Sequence, residues 1–148
     1  VKLDQPLRFR VLQDFNSEAV LDKETGLVWQ KTPFVGAFSS VQAWFKCMEA
    51  TTGGRMGWRV PSAEELLSLQ TKVGNSFVLP PGHPFSVSTG EFYAQSSSQY
   101  TLTNGTVTRM VIVFNSVAPL FTLSSGLGDA SVWCVRGGAS APQTFKGP

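Results

Sequence analysis

Charge is scarce in this chain. Only 15% of its 148 residues are Asp, Glu, Lys or Arg, where an average globular protein has about a quarter. Twelve bases against ten acids leave a net charge of +2, and no run of Lys or Arg occurs. That excludes the basic footprint of a nucleic-acid binder. Histidine is scarcer still, with His83 the single one. The two cysteines, Cys47 and Cys134, are too far apart for a CxxC redox or zinc motif. Two sulfurs and one imidazole do not complete a four-ligand structural zinc site without carboxylates, so no metal is expected.

No apolar run approaches the eighteen or so residues that cross a bilayer, which speaks against membrane insertion. The chain begins at Val1 without Met, which reads as a processed or excised segment. The usual catalytic signatures are missing too. There is no Gly-x-Ser-x-Gly elbow, and "GGRMG" (53–57) is neither a Walker loop nor a dinucleotide fingerprint. No enzyme activity and no cofactor are expected.

Apolar residues make up 42%, with eleven Phe and four Trp. One domain of this length closes a core without metal or several disulfides. The abundance of Ser, Thr, Gly, Asn and Gln suits an exported protein. In such a chain Cys47 and Cys134 are either two buried thiols or a disulfide closing a loop of about 90 residues, worth roughly 4–5 kcal/mol in the chain-entropy limit.

Along the chain, "RFRVL" (8–12) alternates as a strand does. "AVLDKETGLVWQK" (19–31) reads as a hairpin turning at Gly26. "SSVQAWFKCMEA" (39–50) opens with the capping-box pair Ser39 and Gln42. The spacing of Val41, Trp44, Phe45 and Met48 predicts a helix with that face toward the core and Cys47 at its edge. Gly53 and Gly54 end it. In "GWRVPSAEELLSL" (57–69), Trp58 and Val60 anchor an extended piece. Pro61 stops it, and Ser62 with Glu65 caps a second helix whose Ala63, Leu66, Leu67 and Val73 face inward.

Residues 74–90, with "LPPGHPF", read as loop. After them come the strand patterns "EFYAQSS", "QYTLT", "TVTRMVIVF", "APLFTL" and "SVWCVRG", with Asn104-Gly105 as a hairpin turn. Strands, two helices, then strands give an α+β fold on a largely antiparallel sheet. Trp29, Trp44, Trp58 and Trp133 are all expected in the core.

In order, "AVLDKETGLVWQK", a helix carrying Trp and Cys, "GGRMGWRVPSAEELLSL", "LPPGHPF" and "VWCVRGG" resemble the bacterial family named after the C-terminal domain of the Legionella collagen-like adhesin. The resemblance spans about residues 15–138, with 1–14 an N-terminal strand or extension and 139–148 a flexible tail. It implies a C-type-lectin-like fold in which two helices pack on a twisted sheet. It also implies a secreted, surface or periplasmic setting, sulfated glycosaminoglycan or host-protein partners, and assembly as a trimer. Because a disulfide commonly joins the first helix to the last strand in such folds, it further implies a Cys47–Cys134 bond. Formylglycine-generating enzymes share the fold, but their cysteine-pair chemistry is unavailable to a locked disulfide. The calcium-dependent sugar motifs of true C-type lectins are missing, and Ala94 stands where relatives often carry Trp.

For the remaining polar residues, His83 is expected to hydrogen-bond within its proline-flanked loop, and Glu64 and Glu65 to serve a helix start. A ligand surface is expected where the polar loops depart from the family, using Tyr93, Gln95, Tyr100, Asn104 and Arg109, with Asp129 from the neighbouring loop. Arg55 and Lys72 are further candidates for an anionic glycan, since a guanidinium fork matches sulfate and carboxylate. Arg59 and Arg136 are expected to be structural. The alternative is an assembly domain that binds only protein, itself included.

Overall fold

The computed structural model describes residues 8–124 and 130–137. In chain order the elements are strands β1 (Phe9–Val11), β2 (Ala19–Asp22), β3 (Leu27–Gln30) and β4 (Phe34–Phe38), then helices α1 (Ser40–Glu49) and α2 (Ala63–Leu67). They continue with strands β5 (Thr71–Val73), β6 (Ser76–Val78), β7 (Phe92–Thr101), β8 (Val107–Phe114), β9 (Leu120–Ser124), β10 (Ala130–Val132) and β11 (Val135–Gly137). The tail from 139 onward and Asp129 lie outside the described residues.

The expected α+β class is what the chain adopts, with two helices packed on sheets rich in antiparallel pairs. One sheet runs β1-β2-β3-β11 and is antiparallel throughout. A second runs β4-β10-β7-β8-β9, with β10 parallel to β7, and β5 and β6 form a two-stranded third. Short turn chemistry explains much of this. The β2–β3 hairpin closes where Gly26 takes φ 79° and donates its N–H to the Asp22 carbonyl at 2.8 Å. Inside it, Asp22 receives Arg8 through two parallel hydrogen bonds of 2.9 and 2.8 Å, and both side chains are buried.

The closing "VWC" stretch passes from one sheet to the other, because β10 belongs to the second and β11 to the first. Trp133 sits at that crossing, fully buried. It meets Trp29, Phe85 and Phe92 edge-on at 5.5, 5.0 and 6.0 Å and donates its indole N–H to the Gln30 carbonyl at 2.7 Å. Cys134, beside it, is bonded to Cys47 of α1, with Cα atoms 5.5 Å apart. Both capping boxes form, Ser39 with Gln42 and Ser62 with Glu65.

Several expectations are corrected. Residues 76–78 pair with β5 as a short hairpin inside the stretch expected to be loop, and Val73 is exposed on it. "EFYAQSS" and "QYTLT" contribute to one long strand, β7, whose register shifts between Gln95 and Gln99. The largest correction concerns α1. Its buried residues are Ala43 and Cys47, while Val41, Trp44, Phe45 and Met48 face outward, Val41 being 63% and Trp44 56% exposed. The disulfide is the physical reason. Cys47 must meet Cys134, which turns the small residues inward, and the bulky row lies roughly a third of a turn round the helix. Trp29, Trp58 and Trp133 are core residues as expected, and Trp44 is not.

Candidate functional site

The polar residues expected to form one ligand surface separate into inner and outer groups. Gln95 is 1% exposed. Its amide donates to the carbonyls of Phe38 at 2.5 Å and Ala130 at 2.9 Å, and its oxygen accepts from the Arg109 guanidinium at 2.5 Å. Arg109 is itself 8% exposed. The pair therefore fastens β4, β10, β7 and β8 together, which corrects the expectation that both face a ligand. Ala94 is fully buried at the parallel approach of β7 to β10, so the departure from the family pattern lies inside the sheet.

Tyr93, Tyr100 and Asn104 are at the surface. The Tyr93 hydroxyl donates to Glu91 at 2.8 Å, and that hydrogen bond together with the carboxylate charge raises its pKa. Tyr100 is half exposed on β7. Asn104 accepts from the Thr106 N–H at 2.8 Å within the β7–β8 turn. Arg55 is engaged, stacking 3.9 Å over Phe15 and donating to the Asp14 carbonyl at 2.6 Å. Lys72 is exposed on β5, 5.7 Å from the Phe77 ring. His83 accepts from the Phe85 N–H at 3.1 Å through Nδ1, and burial lowers its pKa. Glu65 pairs with Arg59 at 2.8 Å, and Arg136 lies over Phe15 and Trp58. Among the described residues, no three His, Cys, Asp or Glu gather to hold a metal, and no helix is long and apolar enough to cross a membrane.

Two features of α1 escaped the sequence reading. The first is its outward apolar face, where Trp44 and Phe45 meet edge-on at 5.0 Å. A groove of about 250 Å³ runs beside it, between Phe38 of β4 and Val41 and Phe45 of α1. The second is a larger, polar groove of about 600 Å³ on the other side of Lys46 and Glu49, reaching Lys31, Glu18 and Thr32. The two share the α1 residues Lys46 and Glu49. The outward face was signalled by a second stripe, Ala43, Cys47 and Ala50, which competes with the bulky one at helical spacing. The polar groove has no linear signal, because its walls come from distant segments.

The family model of the Lcl C-terminal domain matches residues 18–136. The chain belongs to that family. No curated protein matches it, and no solved structure does. Membership points to a surface, adhesin-associated module, and membership with the Cys47–Cys134 bond fits an exported protein.

Proposed function

We propose that this Lcl C-terminal domain is an exported, non-catalytic binding module of an adhesin-like surface protein. In this reading it makes its main contact through the outward face of α1, with a copy of itself. The carrying observation is that face. Val41, Trp44, Phe45 and Met48 are large, adjacent and exposed on one helix, whereas Trp29, Trp58, Trp133, Phe85, Phe92 and Phe114 are buried. Soluble monomers rarely leave such a row uncovered, and Trp is the side chain most often found at the energetic centre of an interface. The rim carries Lys46 and Glu49, one charge of each sign, which suits a like surface better than a polyanion. Assembly would also multiply weak individual contacts, as adhesion requires.

Sedimentation of the wild type and of Trp44→Asp tests this. Wild-type domain is expected to self-associate, and the variant to stay monomeric with its melting temperature within a few degrees, since Trp44 contributes little to the core. A wild type that is monomeric at high concentration, or a variant that assembles as well, sinks the reading. Sulfated-glycan binding is the second reading. It is supported by the surface positions of Lys72, Tyr93, Tyr100 and Asn104 among the expected contacts. Heparin binding that weakens with salt and persists in Trp44→Asp would favour it.

A further inference from the structure

The polar groove behind α1 is lined by four charged side chains, two of each sign: Glu18, Lys31, Lys46 and Glu49. Two of the possible pairings look made for ion pairs. Lys31 donates its backbone N–H to the Glu18 carbonyl at 2.9 Å, which sets the two residues opposite each other at the end of the β2–β3 ladder. Lys46 and Glu49 lie three residues apart on α1, a spacing that brings side chains together. Neither pairing closes to an ion pair, and the two ion pairs among the described residues, Arg8–Asp22 and Arg59–Glu65, lie elsewhere.

Part of this wall is held in place. Glu18 accepts the Gly53 N–H on Oε1 at 2.7 Å, which leaves Oε2 without a donor among the described residues. Lys46 is drawn over the rings of Phe34 and Phe38, 5.1 and 5.5 Å from their centres. Thr52 receives the Gln30 amide at 2.9 Å, while the hydroxyls of Ser17, Thr32 and Thr51 have no partner among the described residues.

We propose that this groove binds a saccharide unit with no net charge. Its lining offers carboxylates that accept from sugar hydroxyls, and ammonium groups and hydroxyls that donate to them. A polyhydroxylated ring can reproduce the hydrogen bonds of the waters it displaces, which a purely apolar ligand cannot do. The balance of charge excludes preference for a polyanion, because each lysine that would attract sulfate has a carboxylate nearby to repel it. At about 600 Å³ the groove falls within the roughly 300–1,000 Å³ of small-ligand sites, and exceeds what a single amino acid fills. The site goes beyond the α1 contact and does not depend on it.

The test is a titration of the disulfide-intact, isotope-labelled domain, following amide resonances. The probes are lactose and diacetylchitobiose as neutral sugars, a sulfated heparin disaccharide as the polyanion, and glycine as a bare zwitterion. A neutral disaccharide is expected to give saturable shifts at Thr32, Thr51 and Thr52. Their midpoint should change less than about twofold between roughly 50 and 500 mM NaCl, because no net charge is neutralised. Lys31→Met combined with Glu49→Gln should weaken binding about tenfold or more, a loss of about 1.4 kcal/mol or greater.

Shifts from heparin alone with steep salt dependence, shifts from glycine alone, neutral-sugar shifts mapping elsewhere, or no shifts at all would each overturn the proposal. So would an unchanged double variant. Trp44→Asp is expected to keep the sugar shifts while losing self-association, so failure of one reading is separable from failure of the other.

Discussion

At the scale of single residues, the polar side chains divide by whether their hydrogen bonds are already made inside the protein. Gln95 shows how far chemistry alone misleads. In "FYAQSSSQY" it looks like an exposed amide among serines, yet it gives both amide hydrogens to carbonyls and accepts from Arg109. Removing it leaves the carbonyls of Phe38 and Ala130 and a buried guanidinium without that partner, so Gln95→Ala is expected to cost about 1–3 kcal/mol. Chemical denaturation with an unchanged m-value checks this. A variant as stable as wild type that lost ligand affinity would restore Gln95 to a binding role. Gln30 was equally hidden. It accepts from the Cys134 N–H at 2.9 Å and donates to Thr52, joining β3, the closing strand and the loop after α1. Neither role has a local pattern, since the partners lie between 14 and 104 residues away.

At the scale of elements, legibility follows the range of the interactions that decide each one. Capping boxes and the Gly26 turn are decided within a few residues, and they were readable. Helix α2 is only five residues long, yet its start is fixed from both sides. Glu65 accepts from the Ser62 N–H at 2.9 Å and from Arg59 through two hydrogen bonds of 2.8 Å. Burial pushes the Glu65 pKa up, but the Arg59 hydrogen bonds and charge with those from Ser62 outweigh it, and the net shift is downward.

A lowered carboxylate pKa stabilises the fold above the unfolded value of 4.5, and that stability is lost as pH falls through the folded value. Melting temperature is therefore expected to fall more steeply with acidification below about pH 4.5 in wild type than in Glu65→Gln. Parallel acid profiles would show that the tether contributes nothing. The face of α1, by contrast, was misread because two stripes coexist on it. Which stripe turns inward is decided by a covalent bond to a strand far along the chain, and periodicity carries no information about that.

At the scale of the molecule, the same bond decides what α1 is for. A helix normally holds its place by burying an apolar stripe, but here the bulky stripe is outside, and the inner contact is Ala43 and Cys47 with Ala50 beyond its end. Small side chains bury little area, so packing alone anchors α1 weakly. The Cys47–Cys134 bond replaces that missing area by closing a separation of 87 residues, worth at most about 4–5 kcal/mol in the chain-entropy limit. Both candidate binding features border α1 and inherit its placement.

Reduction is therefore expected to act unevenly. Amide exchange in α1 should rise well above that in β8, whose Val111, Ile112 and Phe114 remain in the core. Self-association and sugar shifts should weaken together, before the global melting transition is reached. Exchange measured with and without reductant, on the same sample, checks this. If α1 and β8 gain exchange equally, the bond supports the whole domain and not the helix in particular. If neither changes, the small-residue face holds α1 without it, and the outward row owes its exposure to packing rather than to the disulfide.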